Sequence, residues 1–254
     1  LCTPPRSDGS IDPNLLAAAH LCGITKVYRV GGAQAIAAMA FGTSSIPKVD
    51  KIFGPGSSWV TDAKLLVAQD PEGAAIDIPA GPSEVMIVAD GSSDPRFVAS
   101  DLLSQAEHGA DSQVILVSLD PKLSTKVLAE IPALVKRLSR SEIVMEALGF
   151  ALCIHVREEK EALQIIEDYA PEHLILQVPR PSEWIPKIAN AGSIFCGPWT
   201  PESAGDYASG TNHVLPTGGW ARSLSGVSVE SFQRTMSVQT LTAASTLTAA
   251  NSGG

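Results

Sequence analysis

VMIVADGSSDPRFVASDLLSQAEHGADSQVILVS, residues 85–118, reads as strand, helix and strand. Val85 to Val88 and Val114 to Ser118 are short apolar runs of strand length. Between them, Ser93 or Asp94 followed by Pro95 marks a helix start, because proline is pre-shaped for the first turn. Gly109 is the expected stop, since glycine tolerates the left-handed conformation that ends helices. Ala99, Leu102, Leu103 and Ala106 recur at helical spacing and form an apolar stripe. Roughly opposite, at ~100° per residue, Asp101, Gln105 and His108 share a second face. Gln105 and His108 are three apart, within reach of one ion. A solvated helix face with an ordinary surface histidine is the plainer reading of this stretch taken alone.

The same alternation extends in both directions. Upstream come a helix at about Asn14 to Cys22, a strand at Lys26 to Val30 and a helix from Ala33 to Phe41. A strand at Lys51 to Phe53, a helix from about Ser58 to Ala68 and a strand at Ala75 to Ile78 follow. Downstream lie a charged helical stretch, Pro121 to Leu148, and a strand, Leu152 to Val156. Then come a helix at Glu158 to Tyr169, a strand at Leu174 to Val178, a helix at Pro181 to Ala191 and a strand at Ser193 to Cys196. This rhythm predicts an α/β protein of two Rossmann-like modules with mostly parallel sheets and a C-terminal tail. The seam is placed near Pro82, giving modules 1–82 and 83–222. The stretch 223–254 holds one amphipathic helix, about Val229 to Val238, and a Thr/Ala/Ser/Gly tail.

With 254 residues, 44% hydrophobic and 18% charged, the chain has ordinary globular composition for one large or two small domains. A net charge of -9 argues against nucleic acid and anionic membrane surfaces, which need basic patches. No apolar run approaches the ~20 residues that span a bilayer. The opening LCTPP reads as a strand end and the loop after it, so a fragment without a signal peptide is expected. Cys2, Cys22, Cys153 and Cys196 form no CxxC pair, and Cys153 and Cys196 fall in apolar runs where buried thiols are common. All four are expected to be reduced, in a cytoplasmic protein, or a plastid one if the source is a plant or alga.

Three glycine-rich turns follow strands: GGAQA at Gly31, GPGSS at Gly54 and AGPSE at Ala80. Such turns gather at the carboxyl ends of strands, where open α/β sheets bind ligands and helix N-termini favour anions. None is GxGxxG, and each taken singly is explained as a tight turn. Glu172 and His173 adjoin at a strand mouth, a pair suited to acid–base work or to a cap beside a structural histidine. PESAGDYASGTNHVLPTGG from Pro201 is a long polar loop holding Glu202, Asp206 and His213. Asp206 is a hard oxygen donor of the kind zinc accepts.

Taken in order, VGGAQAIAA, KIFGPG, DIPAGPSEV, DLLSQAEHG, APEHL and ESAGDYASGTNHVLP resemble the histidinol dehydrogenase family from Leu1 to about Thr242. The resemblance implies NAD-dependent, zinc-containing oxidation of histidinol to histidine through the aldehyde. It implies zinc ligands at Gln105, His108 and Asp206, a further ligand lying in the tail of the partner subunit of a homodimer. The metal would grip histidinol, so these three residues and His173 also count as substrate-binding. His173 would take the alcohol proton, and Glu172 would activate the water that attacks the aldehyde. Ser83 matches a substrate contact, with His213 a second, and Gln34 matches an NAD contact.

The departures matter. The family has Asn, a cofactor contact, after the GPG turn, whereas this chain has Ser57 at that cofactor-binding position, whose hydroxyl reaches less far, so weakened NAD binding is expected. The family also carries an N-terminal part before Leu1 and a C-terminal tail with the last ligand. The chain is therefore expected to be the middle of the enzyme, with an incomplete sheet and open apolar surface after Pro82. Two other classes fit the same residues. One is a zinc hydrolase using Glu172 and a metal-bound water. The other is a non-catalytic truncated relative that binds metal or dimerises.

Overall fold

The apolar runs that read as strands form a five-stranded parallel sheet, and their continuous hydrophobicity reflects burial on both faces. The computed structural model describes residues 1–242. The sheet contains β5 (Glu84–Ala89), β6 (Gln113–Ser118), β7 (Leu152–His155), β8 (His173–Gln177) and β9 (Ser193–Cys196), in the order β7-β6-β5-β8-β9. Side chains alternate across it. Val85, Ile87 and Leu116 face the layer of α4 (Pro95–Ala106), α5 (Pro121–Val135) and α6 (Ser141–Leu148). Met86, Val88 and Ile115 face α7 (Glu159–Tyr169) and Trp184.

The part before Pro82 has much shorter pairings. There β1 (Cys2–Thr3) pairs with β2 (Tyr28–Arg29), and β3 (Lys51–Ile52) with β4 (Ala75–Ile76), all parallel. Helices α1 (Pro13–Leu21), α2 (Gly32–Phe41) and α3 (Ser58–Gln69) accompany them. Ile36, Ala40, Ile52 and Val67 make a small separate core. The fragmentary pairing thus lies before Pro82, while the sheet after it is continuous. That sheet does leave apolar surface open at its β7 edge, where Phe150 is 65% and Leu152 50% exposed.

Several expected elements differ, for identifiable reasons. The stretch Pro121 to Leu148 is two helices, broken between Lys136 and Arg140. Pro181 to Ala191 is two short 3-10 turns, because Pro186 lacks the N–H that an α-helix would need there. The long polar loop from Pro201 contains a short helix, α8 (Glu202–Tyr207). The amphipathic helix expected over Val229 to Val238 is a single 3-10 turn, Val229–Phe232. Phe232 stacks on Phe53 at 4.0 Å and Lys51 donates to the Ser231 carbonyl, so this segment docks on β3 instead of building a helix face. The tail beyond Thr242 lies outside the described residues. Cys153 is exposed on the edge strand and Cys196 half-buried, not the buried thiols expected. No helix among the described residues is long and apolar enough to cross a membrane.

Candidate active site

Helix α4 begins as its sequence dictates, with the Asp94 carboxylate accepting from the Arg96 N–H and Pro95 at the first position. It ends at Ala106, earlier than Gly109, so His108 sits in the turn just beyond. The face expected to be solvated is buried: Asp101 is 6% exposed and Gln105 fully buried. Asp101 accepts from Gln177 at the end of β8, and α8 packs against α4 with Glu202 bonded to Ser104. In a parallel strand–helix–strand unit the helix runs back against the strands. The last turn of α4 therefore arrives at the amino ends of β5 and β6.

His173 opens β8, and Ser83 directly precedes β5. The chain reaches this pair from α7 through Ala170 in the left-handed region (φ 56°). Gly192 lies so close to Glu172 that a Cβ there would meet the Glu172 carbonyl oxygen at 2.6 Å. Ser83, His108, Glu172, His173, Asp206 and His213 line one cavity of about 170 Å³, together with Pro55, Ala80 and Gly81. The cavity lies between the amino ends of β5 and β8 and the turns after β3 and β4. Carboxyl strand ends supply only the latter wall, contrary to the expectation that the site sits at carboxyl ends.

Glu172 and His173 are both 4% exposed. The Glu172 carboxylate accepts from the Glu84 N–H at 2.8 Å. His173 Nδ1 lies 2.9 Å from the Glu84 carbonyl, a bond that requires the proton on Nδ1 and directs Nε2 inward. Nε2 is 3.9 Å from Glu202 Oε1. Burial by itself pushes the imidazole down. The Glu172 and Glu202 carboxylates and the Glu84 carbonyl outweigh it and hold His173 at about 9. Burial raises the Tyr169 hydroxyl, helped by the Glu84 and Glu172 charges. It also raises the Glu84 carboxyl.

His108, Glu202 and Asp206 bring ligand atoms within 4.8 Å of one another. His108 Nε2 and Asp206 Oδ2 are 4.0 Å apart. Three residues before His108 in the chain, neither side-chain polar atom of buried Gln105 has a hydrogen-bond partner among the described residues, nor does Glu202 Oε1. Buried polar atoms without partners are costly, and a cation coordinated by oxygen and imidazole nitrogen would satisfy them. The donor set of amide, imidazole and carboxylates therefore fits zinc.

Read as part of a loop, Glu202 carries no helical phase to mark it as a site residue. Four residues before Asp206 on α8, it shares that residue's face. Glu84 was missed because its contribution is mainly backbone. Gln34 and Ser57, the expected cofactor contacts, are exposed at the starts of α2 and α3 and lie outside the cavity lining. Only Pro55, two residues before Ser57, reaches the cavity from that turn.

Fold and site together define an α/β protein in which a buried glutamate–histidine pair shares a small cavity with part of a metal-type donor cluster. The family model for histidinol dehydrogenase matches residues 1–252. Histidinol dehydrogenase of Xanthomonas campestris pv. campestris is 56% identical over 94% of the chain, and that of Xylella fastidiosa 55% over the same share. A crystal structure of histidinol dehydrogenase from Elizabethkingia anophelis superposes with a TM-score of 0.86 at 51% identity, covering 91% of this chain and 53% of that one. The chain belongs to the histidinol dehydrogenase family. It spans about 55% of the length of these curated relatives.

Proposed function

We propose that this chain carries the metal and acid–base centre of an enzyme that oxidises L-histidinol to L-histidine through the aldehyde, with NAD and zinc. The observation that carries this reading is the convergence of the buried Glu172–His173 pair with His108 and Asp206 on one cavity, with Glu202 completing the donor cluster. Histidinol bears an imidazole, an amine and a primary alcohol, and the cavity offers donors of complementary type.

Gln105, His108 and Asp206 would hold zinc, with Glu202 beside them. A divalent cation held by these residues would supply positive charge that binds nitrogen lone pairs and, by repulsion, would lower the proton affinity of nearby His173. That repulsion bears on the base role, since an imidazole held at about 9 is protonated at neutral pH and only its neutral form accepts a proton. The Glu84 carbonyl keeps the proton on Nδ1, so Nε2 is the atom that takes the alcohol proton. Glu172, anchored by the Glu84 N–H, takes a proton from the water that adds to the aldehyde. Ser83 and His213 orient the substrate from the cavity wall. NAD supplies a hydride acceptor when bound, with Gln34 and Ser57 on its side.

In this reading residues 1–82 serve NAD, 83–222 hold the metal and catalytic groups, and 223–254 form a tail. The active form is a homodimer with a shared site, a reading supported by Trp199 and Tyr207, which flank Glu202 and Asp206 in sequence and are 84% and 86% exposed. The test is product stoichiometry. Two reduced nicotinamides per histidinol consumed are expected in the zinc-loaded protein. Metal-dependent hydrolysis without reduced nicotinamide would point to a hydrolase, and metal binding without turnover to a non-catalytic relative.

A further inference from the structure

Away from the donor cluster, a charge pair is buried that none of these steps uses. Lys64 on α3 is 1% exposed. Its ammonium donates to the Gly54 carbonyl at 2.9 Å and the Ile78 carbonyl at 2.7 Å, and pairs with the Asp77 carboxylate. Two of its protons are thereby bonded to carbonyls, and the carboxylate balances its charge. Asp77 Oδ2 in turn accepts from the Gly54 N–H at 2.7 Å. One ion pair thus ties the end of β3 to the end of β4.

The position explains the need. The β3–β4 ladder pairs only Lys51 with Ala75 and Ile52 with Ile76, and its last bond runs from the Asp77 N–H to the Ile52 carbonyl. Past that bond the strands separate into two turns, which contribute Pro55 on one side and Ala80 and Gly81 on the other to the active cavity. One helical turn before Lys64, the Thr61 hydroxyl donates to the Ala80 carbonyl at 2.7 Å. Replacing a buried ion pair by apolar residues of similar volume is often neutral or stabilising, so stability is a weak reason for this one. Geometry is a stronger reason, because an ammonium between two carbonyls fixes their separation.

We propose that Lys64 and Asp77 are positioning residues that set the spacing of the two cavity turns and so govern how tightly NAD and histidinol bind, an inference that rests on the function proposed above. Neither residue lines the cavity, so both act through the turns.

Hydrogen–deuterium exchange and steady-state kinetics on Lys64→Met and Lys64→Arg test this. In Lys64→Met, exchange at Gly54 should accelerate while β5, β6 and β8 stay protected. The Michaelis constants for NAD and histidinol should rise about 10–100-fold, with zinc content unchanged and kcat affected less. Lys64→Arg should recover part of the loss. If Lys64→Met does not fold, the neutral pair Lys64→Gln/Asp77→Asn carries the same expectations. Wild-type exchange at Gly54, or wild-type Michaelis constants, in a folded variant overturns the proposal. The exchange arm needs neither NAD nor zinc. Failure of the wild-type protein to oxidise histidinol, with faster Gly54 exchange still seen in Lys64→Met, sinks the functional reading and leaves the spacing of the turns by Lys64 standing.

Discussion

His173 Nε2 and Glu202 Oε1 face each other at 3.9 Å, both side chains buried, although 29 positions separate them in sequence. The ring's other nitrogen is bonded to the Glu84 carbonyl at 2.9 Å. The imidazole is thus fixed at one end and faces a carboxylate at the other.

Metal-free protein should therefore show a His173 that titrates near 9, measured by NMR of the imidazole. Glu202→Gln and Glu172→Gln should each lower that value. Because the folded value exceeds the ordinary 6.5, the charged ring's stabilisation is fully present below about 6.5 and lost as pH rises through about 9. Thermal unfolding across that window should show the decline, and His173→Asn should flatten it. An unchanged titration in Glu202→Gln would show that the carboxylate does not act on the ring.

Gln105→Leu should produce opposite effects on metal affinity and on metal-free stability. On the proposed assignment it removes a zinc donor, so affinity in a chelator competition should fall by at least about tenfold. It also removes two buried polar atoms without partners, so metal-free stability should rise by about 1–3 kcal/mol. A drop in both quantities would mean that Gln105 is an ordinary core residue.

Asp101 carries a pH-dependent cost. Burial raises its carboxyl from 3.8 to about 6, partly offset by the Gln177 amide that donates to it at 3.2 Å. A raised acid binds more protons in the folded state, so stability falls as pH rises from about 4 to about 6 and stays lower above. Asp101→Asn keeps an acceptor for Gln177 and offers a donor to its partnerless Oε1. The substitution should stabilise the protein at pH 7 by on the order of 1–3 kcal/mol and have little effect below pH 4. Denaturant unfolding at the two pH values measures the difference.

The two oxidation steps should separate by residue. His173→Asn should slow alcohol oxidation by about 10²–10⁴-fold, the range for a lost general base. Glu172→Gln should slow aldehyde oxidation more than alcohol oxidation. Assays begun from histidinol and from the aldehyde distinguish them, and an alcohol-only defect in Glu172→Gln would reverse the roles.

Ser57 caps α3 without a side-chain bond to that helix, so its hydroxyl is available to a ligand. A serine in place of asparagine loses at most about one direct hydrogen bond, on the order of 0.5–1.5 kcal/mol. Ser57→Asn should lower the Michaelis constant for NAD up to about tenfold and leave that for histidinol nearly unchanged. An unaltered NAD saturation curve would remove Ser57 from the cofactor site.

Local sequence determined the elements whose cause is local. Val85 to Val88 and Val114 to Ser118 are apolar on both faces, which specifies buried parallel strands, and Asp94-Pro95 specifies the start of α4. The family-like strings single out Glu172, His173, Gln105, His108 and Asp206 as candidates without reference to the fold. Tertiary structure alone decided the burial of the Asp101–Gln105 face, because periodicity records polarity but not which distant elements pack against it. It decided the pairings of His173 with Glu202 and of Lys64 with Asp77 for the same reason. A charged residue in sequence reads as solvated, and only the packing of distant elements shows that water has been replaced by a partner.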